Sequence, residues 1–166
     1  MIRYTPEKIA ALRPNEIFVF GSNLAGHHGG GAASIAHERF GAVWGIGTGL
    51  QGNSYAIPTM QGGIETIKPY VDEFICFARL HSELTFYVTR IGCGIAGFSD
   101  SEIAPLFDKA YDVKNIILPE SFYKIINHAR QLNSETNGLK FLCVVINVLT
   151  YVNQNRNHLA VLDFST

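Results

Sequence analysis

Ten of the sixteen glycines in this chain fall between Gly21 and Gly52, and the first of them stands where an apolar strand stops. The strand reads Ile17-Phe18-Val19-Phe20. The loop after it, Gly21-Ser22-Asn23-Leu24-Ala25-Gly26-His27-His28-Gly29-Gly30-Gly31-Ala32-Ala33, runs into a helical pattern over residues 32–40. A glycine triplet between a buried strand and a helix leaves backbone N–H groups bare at the positive end of the helix, a setting that accepts a phosphate or another anion. The competing explanation is tight strand-to-helix packing that admits no side chain. A tight turn rarely needs three consecutive glycines plus Gly26, so anion binding is the expectation.

A second loop of the same kind follows the strand pattern Leu84–Thr89. It reads Gly92-Cys93-Gly94-Ile95-Ala96-Gly97-Phe98 and precedes a helix expected over 101–110, with Ser99-Asp100 as its cap. Between the loops, residues 42–46 read as a short strand or extended loop and Ser54–Ile57 as a strand. Residues 64–80 read as a helix with Ile67, Val71, Phe74, Ile75 and Ala78 at near-helical spacing. Thr5-Pro6-Glu7 reads as the start of a short helix to Leu12, Ile35, Ala36 and Phe40 as the buried side of the first long helix, and Asn115–Leu118 as a last strand. Strands alternating with helices imply a layered α/β sheet, whose ligands collect at the C-terminal edge of the strands. If the two strands are neighbours, the two loops face one crevice. After Pro119 the chain changes character: residues 120–133 look helical, and residues 139–152 are apolar all round, a buried helix or a strand pair.

Composition narrows the function classes. The chain has 166 residues, 16% of them charged and 47% hydrophobic, which suits one domain with a sizeable core rather than a disordered chain. A net charge of −1 with no Lys/Arg cluster argues against gripping duplex nucleic acid by its phosphates. Cys76, Cys93 and Cys143 form no CxxC pair, so the expectation is a reducing cytoplasm without disulfides, zinc or any other metal. No signal peptide is read at the N-terminus, and Phe141–Leu149 is too short to span a bilayer, so neither a membrane nor a cofactor is expected.

The two loops and their flanking elements resemble the macro domain. More narrowly, Phe20–Gly26, Tyr55–Thr59 (Tyr-Ala-Ile-Pro-Thr) and Gly92–Gly97 are similar to motifs of an uncharacterised macro-like group of bacteria and their phages, known as a phage non-structural protein family. The resemblance covers about residues 15–122. It implies a three-layer α/β/α fold with a mixed sheet over residues 1–122, and a C-terminal extension, 123–166, packed on the same domain. It also implies an ADP-ribose-like ligand, or a related nucleotide diphosphate. By position, Asn23 matches the asparagine at the proximal ribose. Gly29, Gly30, Gly31 and Ala32, after Gly21 and Ser22, match the loop beside that ribose and the diphosphate. Gly92, Cys93, Gly94, Ile95, Ala96, Gly97 and Phe98 match the diphosphate loop, with Phe98 at the distal ribose. Two departures matter: Ala32-Ala33-Ser34 stands where one hydrolytic type carries an Asp, and residues 1–16 hold no Gly-Asp pair to read adenine.

The residues themselves leave alternatives open. Asn23 can serve a ligand's hydroxyls or hold its own loop as an Asx-turn. His27 and His28 are the loop's candidates for acid/base work, and adjacent side chains in an extended loop point apart, so at most one faces the crevice. Cys93 beside Arg90 is a nucleophile candidate, with a small buried side chain the stronger reading. Phe98 is either a stacking wall or core. His37-Glu38 has no second histidine at Gly41 to make a zinc motif, and Gly45–Gly52 lacks a dinucleotide fingerprint. Binding of ADP-ribose or a related nucleotide diphosphate is therefore the leading expectation. Its rivals are a hydrolase releasing ADP-ribose, with Asn23, His27 and His28 as catalytic candidates, and a non-catalytic phage or host interaction protein with vestigial loops and an unknown protein partner.

Overall fold

The computed structural model describes residues 3–162. Among them, five strands form one mixed sheet in the order β2-β3-β1-β4-β5. The strands are β1 (Glu16–Ser22), β2 (Gly49–Gln51), β3 (Ser54–Pro58), β4 (Thr85–Val88) and β5 (Ile116–Ile117); the helices are α1 (Gly31–Arg39), α2 (Ile64–Leu80), α3 (Asp100–Ile103) and α4 (Glu120–Leu162), with a 3-10 helix at Ala104–Ala110. β1 runs parallel to both β3 and β4, in the registers Gly21↔Ile57 and Val19↔Val88, and only β2 is antiparallel.

Alternation along β1 builds a core on each face of the sheet. Ile17 and Val19 join Ile57, Phe86 and Val88 against Val71, Phe74 and Ile75 of α2 and Phe107 and Phe122 beyond it. Phe18 and Phe20 join Ala56 against Ala33 and Ala36 of α1 and Phe40. The expected apolar stripe of α2 is buried in full: Ile67, Val71, Phe74, Ile75 and Ala78.

Several expectations are corrected. The run from Thr5 to Leu12 is not a helix. Thr5 is drawn beside β5, its N–H on the Leu118 carbonyl at 2.9 Å and its hydroxyl on that of Ile117 at 2.7 Å, and a helix this short has little stability of its own. Ile35 is exposed; α1 lies against the sheet through Ala33 and Ala36, small enough to bring the helix close. Of the two alternatives for residues 42–46 the loop holds, not the strand, and β2 was not anticipated at all. The helix after Ser99 starts at Asp100 and tightens to 3-10 from Ala104, where Pro105 has no N–H for an α-helical bond. Ser99, not Asp100, is its N-cap, in a capping box with Glu102.

The chain divides into two compact units, Met1–Ile126 and Asn127–Thr166, so the division falls four residues later than the expected 122/123 boundary. The reason is that Phe122 and Ile126, in the first turns of α4, are buried with the first unit's core. Residues 139–150 are helical rather than a strand pair, and Leu139, Phe141, Leu142, Val144, Ile146, Val148 and Leu149 are exposed rather than buried. Among the described residues no helix is long and apolar enough to cross a membrane.

Candidate functional site

β1, β3 and β4 are neighbours and parallel, so the segments leaving their C-terminal ends meet at one edge of the sheet. They enclose a cavity of about 180 Å³. From the first loop it is lined by Gly21, Ser22, Asn23, His27, Gly30, Gly31 and Ala32; from the second by Gly92, Gly94, Ile95 and Ala96. Gly21 and Gly92, at the exits of two of these strands, put no side chain into it. A Cβ on Gly21 would stand 3.2 Å from both the Gly92 nitrogen and Thr59 Oγ1, so only glycine lets the strand ends approach this closely.

One wall is the N-terminus of α1. Its N-cap is Gly30, in extended conformation, with no side-chain capping bond and no acidic residue in the first turn. The first N–H groups of a helix have no partner within it. Here Ser34 N–H makes the first helical bond, to the Gly30 carbonyl at 3.3 Å, so the N–H groups of Gly31, Ala32 and Ala33, residues that line the cavity, have no partner within the helix and stand at the positive end of its dipole. Gly31 has φ 58°, a conformation that favours glycine. The opposite wall is Gly94-Ile95-Ala96, a turn closed by the Gly97 N–H on the Gly94 carbonyl at 3.0 Å and the Phe98 N–H on that of Gly92 at 3.0 Å.

Asn23 lines the cavity but works first for its own loop. Its Nδ2 donates to the His27 carbonyl at 2.8 Å and its Oδ1 accepts the His27 N–H at 3.0 Å. One amide hydrogen and one lone pair remain for a ligand. The histidines divide as their adjacency requires. His27 is exposed, borders the cavity and stacks on Trp44, ring centroids 5.5 Å apart at 25°. His28 is buried; its Nε2 donates to the Val43 carbonyl at 3.1 Å and its ring lies edge-on to Phe20. It does not line the cavity.

Gly29, Cys93, Gly97 and Phe98 also fall outside the lining. Gly29 and Gly97 are exposed, while Phe98 and Cys93 pack against the larger core cluster. Burial and the neighbouring Asp100 carboxylate push the Cys93 thiol up to about 12, the opposite of an activated nucleophile. Ser22 lines the site through its backbone, its hydroxyl being given to the Gly47 carbonyl.

Sequence reasoning missed Ala33, Thr59, Met60, Thr89, Arg90 and Ile91 as part of the lining. Thr59 was visible as the last residue of Tyr-Ala-Ile-Pro-Thr, and Thr89 and Arg90 as the exit of the second strand. The two threonines fasten these exits to β1: Thr59 N–H to the Ser22 carbonyl at 2.9 Å, Thr89 N–H to the Val19 carbonyl at 3.0 Å. Arg90 makes an ion pair with Asp100, Nε and Nη2 both 2.9 Å from Oδ1. Burial, the largest single influence, would raise the Asp100 carboxyl; hydrogen bonds from Arg90, Cys93 and Ser121 and the Arg90 charge together outweigh it and hold the group below the usual carboxylate range.

Among the described residues no group of three or more His, Cys, Asp or Glu is placed to hold a metal ion. Comparison with protein-family models, with curated proteins and with solved structures finds no match to this chain.

Proposed function

We propose that this cavity binds ADP-ribose or a related nucleotide diphosphate, the two glycine loops clasping the diphosphate. One observation carries the reading: the uncapped N-terminus of α1 and the Gly94–Ala96 turn line one cavity together with Gly21 and Gly92, at the C-terminal ends of β1 and β4. Such a setting offers several N–H donors and a helix dipole to an anion at close range. The mixed sheet, helix-covered on both faces and with its loops at this edge, is compatible with the macro-like fold that the loop motifs resemble.

At about 180 Å³ the cavity is smaller than the roughly 300–1,000 Å³ typical of pockets that enclose a whole drug-sized ligand. It suits a diphosphate and part of a ribose, with the remaining groups extending past the loops. Hydrolysis of an ADP-ribose conjugate draws on the same cleft and is the weaker reading. Asn23 is committed to its loop, His28 is turned into the fold, and no acid follows Gly31. Isothermal titration with ADP-ribose tests the proposal: binding in the micromolar range is expected, and no heat at millimolar ligand would end it.

A further inference from the structure

A larger cavity, about 860 Å³, adjoins the first, and the two share Thr89 and Arg90. Among the described residues, Arg90 is the only Lys or Arg lining either of them. Its guanidinium is positioned rather than free: two of its five N–H groups point at Asp100 Oδ1, leaving three to donate. The second cavity is lined by three carboxylates, Glu7, Asp100 and Glu120, whereas no described carboxylate lines the first. Asp100 is matched by Arg90 and Glu120 by Lys124 at 2.9 Å. Glu7 adds negative potential in that cavity, and its charge acts on Arg90 itself.

We infer that Arg90 reads the charge of the ligand and restricts it to a diphosphate flanked by uncharged groups, a diester rather than a chain ending in free phosphates. This rests on the diphosphate reading of the first cavity. A phosphoryl oxygen between the α1 N-terminus and Arg90 gains a charge-assisted bond and a dipole. A further phosphate carried past Arg90 leaves that single cation and meets carboxylates, and like charges brought together disfavour binding. An uncharged sugar or base in the second cavity meets no such opposition.

The test compares ADP-ribose, ATP and AMP on the full chain at low and high salt, for wild type, R90A, R90K and E7Q. Wild type is expected to bind ADP-ribose at least about tenfold more tightly than ATP, and to weaken as salt rises. R90A loses about tenfold for ADP-ribose and responds less to salt; R90K keeps the salt response but not the full affinity, because an ammonium lacks the planar fork. E7Q narrows the gap between ADP-ribose and ATP. Arg90 is an exposed side chain in a surface ion pair, so R90A keeps its fold, which a matched thermal midpoint verifies. R90A binding ADP-ribose with unchanged affinity and salt response, or wild type binding ATP as tightly as ADP-ribose, overturns this inference alone. Wild type binding none of the three nucleotides overturns the reading beneath it as well.

Discussion

Ile95 lies across the cavity mouth against Gly30: a Cβ built on Gly30 would stand 3.2 Å from Ile95 Cδ1. Ile95 is 72% exposed, so this large apolar side chain is held over the opposite loop rather than in a core. It acts as a strap between the two loops. I95A should leave stability within about 0.5 kcal/mol, as for most surface changes, while raising the dissociation rate of ADP-ribose several-fold. Stopped-flow exchange measures the rate; an unchanged rate with unchanged affinity removes the strap from the account.

The glycines of the first loop do two different jobs, and alanine separates them. Gly31 has φ 58°, and a Cβ there would meet only Ile95 Cδ1, at an ordinary 3.8 Å, so G31A costs roughly the 1–2 kcal/mol of the left-handed conformation. At Gly26, also left-handed, a Cβ would lie 2.2 Å from the Ile46 nitrogen; at Gly47 it would lie 2.1 Å from the Asn23 carbonyl oxygen. Both neighbours are backbone and have no rotamer to yield. G26A and G47A should therefore each cost more than G31A, about 3 kcal/mol or above, read from denaturant midpoints.

Cys93 supplies a prediction in pH. Burial and Asp100 push its thiol to about 12, so near neutral pH almost none is thiolate. Alkylation by iodoacetamide at pH 8 should be slow at Cys93 relative to the exposed Cys76, rising only as pH approaches the thiol's own value. Site-resolved mass spectrometry follows it. Rapid labelling of Cys93 at pH 7 would return the nucleophile reading.

Among the residues whose burial is described, 3–150, the buried hydrophobic ones all lie between Ile17 and Ile126. A chain ended after Ile126 should consequently fold cooperatively, with a single thermal transition and ADP-ribose affinity within about threefold of the full chain. Ending it before Phe122 removes two buried side chains from the larger core cluster and should cost several kcal/mol.

How much of this was legible in the sequence follows from how local each signal is. The apolar period of α2 and the glycine loops at strand ends are local, and both sit where they were expected. β2 was hidden because it has only three residues, one of them Gly49, with Gly52 directly after, although Gly52-Asn53 between it and β3 is itself a hairpin signal. The N-terminal segment was misread because its conformation is set by Thr5 bonding to residues 112 and 113 positions away. Arg90 and Thr59 joined the site only through strand order, which no single stretch of sequence carries. The roles of Asn23 and His28 turned on side-chain direction: the same residues serve a ligand or a loop depending on a rotation about one bond.

The central claim is that both glycine loops hold one diphosphate. Amide ¹H–¹⁵N shifts during an ADP-ribose titration test it most directly. The account requires the N–H groups of Gly31, Ala32 and Ala33 to move together with those of Gly94, Ile95 and Ala96, along one saturating curve. Shifts confined to one loop, or none in either at saturating ligand, would contradict it.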